Sequence, residues 1–182
     1  MADRTLPGRI TYEHYRHFPD DGMRYEILDG VLYMAPTPSP RHQYASKNLR
    51  RSLEDYFEAD GDYVVFNAPL DVILADADVV QPDLVVAARA QISDRGVEGT
   101  PLLLVEILSP SSIPLDRQAK AARYRVHAVP HYWIVDPAAR TLECLRLVGD
   151  AYVLEASGSE DEHVAVPAFE GLTITLTSLW LR

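Results

Sequence analysis

The stretch LLLVEILSPSS, residues 102–112, constrains the chain most. Residues 102–105 and 107–108 form an apolar run with the length and branching of a buried strand, and Glu106 sits inside it. A buried carboxylate without a partner costs several kcal/mol. In a regular strand Glu106 shares a face with Leu104 and Leu108, which screen it poorly. Those surroundings make a bland explanation of Glu106 harder and favour a functional role.

The rest of the chain reads as alternating strands and helices. TYEHYRHF (11–18) predicts a short helix with Thr11 as its N-cap, stopped by Pro19. Residues 23–34 predict a hairpin turning on Asp29-Gly30. PTPSP (36–40) is a stiff connector into a helix over about 41–59, with Tyr44, Leu49, Leu53, Tyr56 and Phe57 as its apolar stripe. Strands follow at 63–66, 70–74 and 83–88. Ser111 or Ser112 can cap a helix that runs to about His127, with Pro114 in its first turn. Strands at 131–136, 141–148, 151–156 and 172–176 complete the chain. The helix between the Glu106 strand and HYWIVD (131–136) makes those two strands parallel. The expected fold is one α/β (α+β) domain over residues 1–182, a mixed central sheet with helices on its faces.

Composition agrees. Of 182 residues, 47% are hydrophobic and 24% charged, which suits a globular chain able to fill a core. No apolar stretch approaches the roughly 20 residues that cross a bilayer. The opening MADRTLPGRI lacks the apolar centre of a secretory signal, so a cytoplasmic location and no membrane partner are expected. The single cysteine, Cys144, excludes an intrachain disulfide and argues against a Cys-based zinc site. The net charge of −10 argues against a protein that coats nucleic acid. Yet residues 41–51 and 116–127 hold four basic residues each, eight of the 17. They are either solvated helix faces or local basic surfaces.

Asp83 follows Pro82 at the mouth of the strand LVVAA. Two acids on neighbouring core strands repel unless a cation lies between them, and Mg²⁺, a hard ion taking one or two protein carboxylates, suits that place. Asp116, Lys120 and Tyr124 fall on one helical row. Lys120 either pairs with Asp116 at the surface or leans over the carboxylates, where its ammonium orients a water or stabilises developing charge. Glu26, between Tyr25 and Ile27, is either an added acid of the site or the wet face of the hairpin; Asp83 is either a ligand or a turn residue. His42 and His131 read as ordinary helix and strand-edge residues. HExxH, GxSxG, the Walker loop and GxGxxG are all missing from the sequence.

The blocks YEILDGVLYMAPTPSPRHQ, VVQPDLVV, LLLVEILSPSS, DRQAKAARY and VPHYWIVDP resemble, in order and spacing, the Uma2 family. That family is also known as a bacterial domain of unknown function and is grouped with the restriction-endonuclease-like PD-(D/E)xK nucleases. The resemblance spans about residues 11–150. It implies a nuclease core, with Asp83 and Glu106 holding Mg²⁺ or Mn²⁺. The superfamily lysine would fall at position 108, which is Leu108 here; Lys120 in DRQAK matches a lysine moved to the next helix. Glu26 resembles a further family acid near the site.

The resemblance thus implies metal-dependent hydrolysis of DNA phosphodiesters, with the basic residues of 41–51 and 117–125 holding flanking phosphates and a homodimer, by analogy, as a way to cut both strands. A second reading keeps the fold as a catalytically weak module that binds nucleic acid or protein, and it expects Lys120 far from Glu106. A third, a small-molecule metallohydrolase, expects a closed pocket around the same carboxylates.

Overall fold

The computed structural model describes residues 8–19, 21–35, 37–110 and 112–181. After a four-residue helix α1 (Tyr12–Tyr15), strands β1 (Arg24–Leu28) and β2 (Val31–Ala35) form the expected hairpin, with Leu28 opposite Val31. Asp29 (φ 51°) and Gly30 (φ 77°) both take positive φ, as a two-residue turn of this hand requires. Helix α2 (Pro40–Phe57) starts at Ser39, whose hydroxyl accepts from the His42 N–H. The expected connector 36–40 is cut short because Pro40 already occupies the first helical position; Pro36 lies outside the described residues.

Beyond α2 the strands are β3 (Tyr63–Asn67), β4 (Val72–Ala75), β5 (Asp78–Val80), β6 (Leu84–Ala88), β7 (Ile92–Ser93), β8 (Gly96–Glu98) and β9 (Leu103–Ile107). A π-helical stretch, Leu115–Lys120, leads directly into α3 (Ala121–Val126). Then come β10 (His131–Asp136), β11 (Thr141–Val148), β12 (Ala151–Ser159) and the small pair β13 (His163–Ala165) and β14 (Thr173–Thr175). Helical backbone begins at Ile113, with Pro114 in its first turn as expected and the Ser112 carbonyl accepting from the Asp116 N–H; the Ser112 side chain accepts from the Ser109 N–H, and Ser111 lies outside the described residues.

Two six-stranded sheets result. The main sheet runs β12-β11-β10-β9-β6-β3, and β9 pairs with β10 in parallel, as the crossover predicted. Alternation divides its strands cleanly between two faces. Leu84, Val86, Leu103 and Val105 meet Ala45, Leu49, Leu53 and Phe57 of α2 on one face. Val85, Ala87, Leu104, Leu108, Tyr132 and Ile134 pack on the other with Tyr124, Val129 and Val72, Val80 and Val97 of the second sheet. That second sheet runs β2-β1-β5-β4-β8-β7.

The mixed α+β class expected from sequence is what forms, with one difference. One face of the main sheet is covered largely by a second sheet in place of helices. β5, β7 and β8 are two or three residues long, too short to show any hydrophobic period.

Candidate active site

The two sheets close on one another around a group of acids. β6 and β9 are antiparallel, with Leu84 opposite Val105 and Val85 opposite Leu104. One step further along that register, Asp83 falls across from Glu106. Both side chains are buried. Asp83 Oδ2 accepts from His42 Nε2 at 3.0 Å and from the Ile107 N–H at 2.8 Å, and Arg24 Nη1 lies 3.7 Å from Oδ1. Burial alone would raise the Asp83 pKa. The His42 and Ile107 hydrogen bonds and the charge of Lys120 outweigh it and hold the carboxyl below the ordinary aspartate value.

Glu106 meets a cation inside the protein. Its Oε1 accepts from Lys120 Nζ at 3.0 Å and from the Tyr124 hydroxyl at 2.6 Å. Burial nevertheless pushes its pKa well above the ordinary glutamate value; Lys120 opposes the shift, and Asp116, Asp83 and Glu26 add to it. Lys120 is itself buried, with Nζ also 3.0 Å from Glu26 Oε1 and 3.6 Å from Asp116 Oδ1. Burial favours a neutral lysine, but the surrounding carboxylates, Glu106 first, win and raise its pKa above the usual lysine value. The Asp116 carboxyl is also shifted upward, chiefly by burial.

Glu26 does not lie on a wet face. β1 is flanked by β2 and β5, and the Glu26 side of the hairpin is pressed against the main sheet, leaving the residue at 0% exposure. Its Oε1 accepts from the Gln81 N–H at 2.7 Å, and its Oε2 is buried with no hydrogen-bond partner. The surface pairing of Lys120 with Asp116 is corrected in the same way. The pair exists, but inside the protein, because the stretch 115–120 turns both side chains inward.

Sequence reading passed over His42. It touches Asp83, is 8% exposed, and extends the Ala45, Leu49, Leu53 stripe of α2 back by one turn. A histidine in line with an apolar stripe was the available signal. The second basic stretch is also corrected. Arg117 makes a bidentate pair with Glu143 (2.9 and 2.7 Å), Arg123 one with Asp78 (2.8 and 2.5 Å), and Arg125 donates to the Asp150 carbonyl (3.0 Å). Those charges hold the protein together and do not line the site.

Four carboxylates, Glu26, Asp83, Glu106 and Asp116, therefore gather around one ammonium. They border a hollow of about 80 Å³ with His42, Arg24, Ser109 and Ser112. The excess of buried negative charge, the unpartnered Glu26 Oε2 and an all-oxygen donor set fit a hard divalent cation such as Mg²⁺ or Mn²⁺. Among the described residues, no three His, Cys, Asp or Glu side chains are drawn together as a ready-made cage. An ion that completes its shell with water and phosphate oxygens does not need one.

A model of the Uma2 family, described as "Putative restriction endonuclease", matches residues 12–177. The chain belongs to the Uma2 family. Its fold is also that of a solved protein from Anabaena variabilis, described as "a putative nuclease belonging to DUF820". The two share 20% identity over 94% of this chain and 97% of the other, with a TM-score of 0.75. No curated protein matches the chain. The family description points to nuclease function in general terms; the neighbour shows the fold. Among the described residues, no helix is long and apolar enough to cross a membrane.

Proposed function

We propose that this Uma2 chain hydrolyses phosphodiester bonds in DNA with a divalent metal, Mg²⁺ or Mn²⁺, held by Asp83 and Glu106. The observation that carries the reading is the meeting, at 3.0 Å, of Lys120 with a strand glutamate whose register neighbour is Asp83. When bound, the ion offsets the acid cluster, polarises a phosphoryl oxygen and lowers the pKa of a water.

The protein's own groups do the rest. His42 and the Ile107 N–H fix the Asp83 carboxylate and keep it ionised. The Tyr124 hydroxyl and Lys120 hold Glu106 by one oxygen. Lys120, kept protonated by its neighbours, acts as a fixed positive charge and donor near the developing charge on phosphorus oxygens, and not as a general base. Glu26 anchors Lys120 from the second sheet. The position of Lys120 speaks against the inactive-module reading, which expected it far from Glu106. The carboxylate hollow opens into a solvent-accessible groove, unlike the closed pocket a small-molecule hydrolase would need.

The test is incubation of supercoiled DNA with Mg²⁺ or Mn²⁺, with EDTA and Glu106→Ala as controls. Metal-dependent nicking that disappears in the variant supports the reading. Folded wild-type protein that cuts no more than Glu106→Ala with either metal refutes it and leaves the binding module.

A further inference from the structure

Positive charge is distributed unevenly around the carboxylates. Nearly every described arginine and lysine is engaged by a side chain or carbonyl of the protein. The three described exceptions, Arg41, Lys47 and Arg51, all lie exposed on α2. Arg41 faces a different hollow, beside Arg140 and Glu160. Lys47 and Arg51 stand one turn apart on the same helical face, about 6 Å along the axis. With Arg50 and Arg24 they line an open groove of about 360 Å³ that ends on His42 and Asp83. The groove and the carboxylate hollow share Arg24, Pro38, His42 and Asp83, so one runs into the other. The one acid along the groove away from the site, Glu54, is paired to Arg50 at 2.6 Å. The first turn of α2 contains no acid.

We propose that this groove carries one flank of a DNA strand, with phosphates beside the scissile bond seated on Lys47 and Arg51 and with Arg24 at the junction to the carboxylates. The inference rests on the phosphodiesterase reading for which bond is cut, and adds where the strand runs. On a chain of net charge −10, two unpaired cations one turn apart, leading to a cluster of acids, form an anion track that other parts of the described surface do not repeat. The other basic stretch, Arg117, Arg123 and Arg125, offers charges already neutralised or held by the protein.

Equilibrium binding of a labelled single-stranded DNA and of its duplex, measured across a salt series, tests this. The Glu106→Gln background prevents cleavage under the phosphodiesterase reading. Lys47→Ala/Arg51→Ala should flatten the slope of log K against log salt by about 1.4 on the single strand and about 1.8 on the duplex, for two lost phosphate contacts. Arg95→Ala/Arg140→Ala, which removes the same charge elsewhere, should leave the slope in place. Lys47→Glu/Arg51→Glu should abolish binding. Equal slopes for the two alanine pairs, or no binding by the parent, overturn the proposal. Nicking of supercoiled DNA by wild type judges the other reading separately. Nicking with equal slopes retains the phosphodiesterase and removes the groove; a selective loss of slope without nicking retains the groove and removes the phosphodiesterase.

Discussion

Glu106→Gln should make the metal-free protein more stable and deprive it of stabilisation by metal. Any charge on Glu106 is opposed by burial and by three neighbouring acids and favoured by Lys120. Glutamine removes the charge and keeps an oxygen in place to accept from Lys120 Nζ and the Tyr124 hydroxyl, now at 3.0 and 2.6 Å. Lys120 retains Glu26 and Asp116 as partners. A gain of about 1 kcal/mol is expected, in the range of substitutions that relieve strain at functional sites, and at this chain length it is worth roughly 2–4 °C in Tm. Metal acts in the other direction. An ion at 100 times its Kd adds about 2.7 kcal/mol to the wild type, roughly 5–11 °C. The assay is thermal unfolding at pH 7 in EDTA and in a Mn²⁺ series, for both proteins. The two melting curves should cross, the variant higher in EDTA and the wild type higher in Mn²⁺. A variant that melts lower in EDTA yet keeps the full Mn²⁺ shift would refute the reasoning, because Glu106 would then be structural and the ion would lie elsewhere.

Lys120→Met removes the ammonium shared by Glu26, Glu106 and Asp116, and should cost about 3–5 kcal/mol in urea unfolding of the metal-free protein; a loss under 1 kcal/mol would show that the acids are already neutral. His42→Ala should weaken Mn²⁺ binding by roughly 10–100-fold in calorimetry while the fold persists, since it leaves Asp83 held only by Ile107 and Arg24. For His131, burial and then the charge of Arg146 depress the pKa from 6.5 to about 4, so the folded state disfavours the proton that the unfolded chain takes up. Its contribution is complete above pH 6.5 and declines as pH falls towards 4. Between pH 7 and pH 5 the wild type should therefore lose up to about 2 kcal/mol more than His131→Gln in urea unfolding, and equal losses would count against a depressed pKa.

How far the site was legible in the sequence depends on which residues are examined. Glu106 announced itself, because a carboxylate inside a core strand must be satisfied by something. Asp83 followed from its place beside Pro82, and the structure adds the register that sets the two face to face. Glu26 and Lys120 were named, but their burial was not legible. Each comes from an element whose polar residues look surface-exposed until the two sheets close on one another, and the second sheet is built partly from strands too short to carry a pattern. His42 and the pairing of Arg117, Arg123 and Arg125 depend on contacts between residues 25 to 45 positions apart, which no local spacing encodes.

The displaced lysine shows the same point physically. Position 108 lies on the face of β9 that carries Glu106, and Leu108 there is buried in the cluster that includes Tyr124, Tyr132 and Val80. A lysine at that position would have to push its stem out of an apolar layer to reach the carboxylates. Lys120 approaches instead from the crossover between two parallel strands, on the same inward row as Asp116 and Tyr124. A crossover must pass over this end of β9 whatever its sequence, so a helix residue there can place an ammonium where a strand residue otherwise would. The energetic requirement is a cation within hydrogen-bond reach of Glu106, and the fold can meet it from either element. Moving the lysine back, as Leu108→Lys/Lys120→Leu, should therefore fail in this chain: the new ammonium would displace Tyr124 from Glu106 and leave Glu26 and Asp116 without their shared partner. Retained Mn²⁺-dependent stabilisation in that double variant would show that the apolar layer yields more readily than its packing implies.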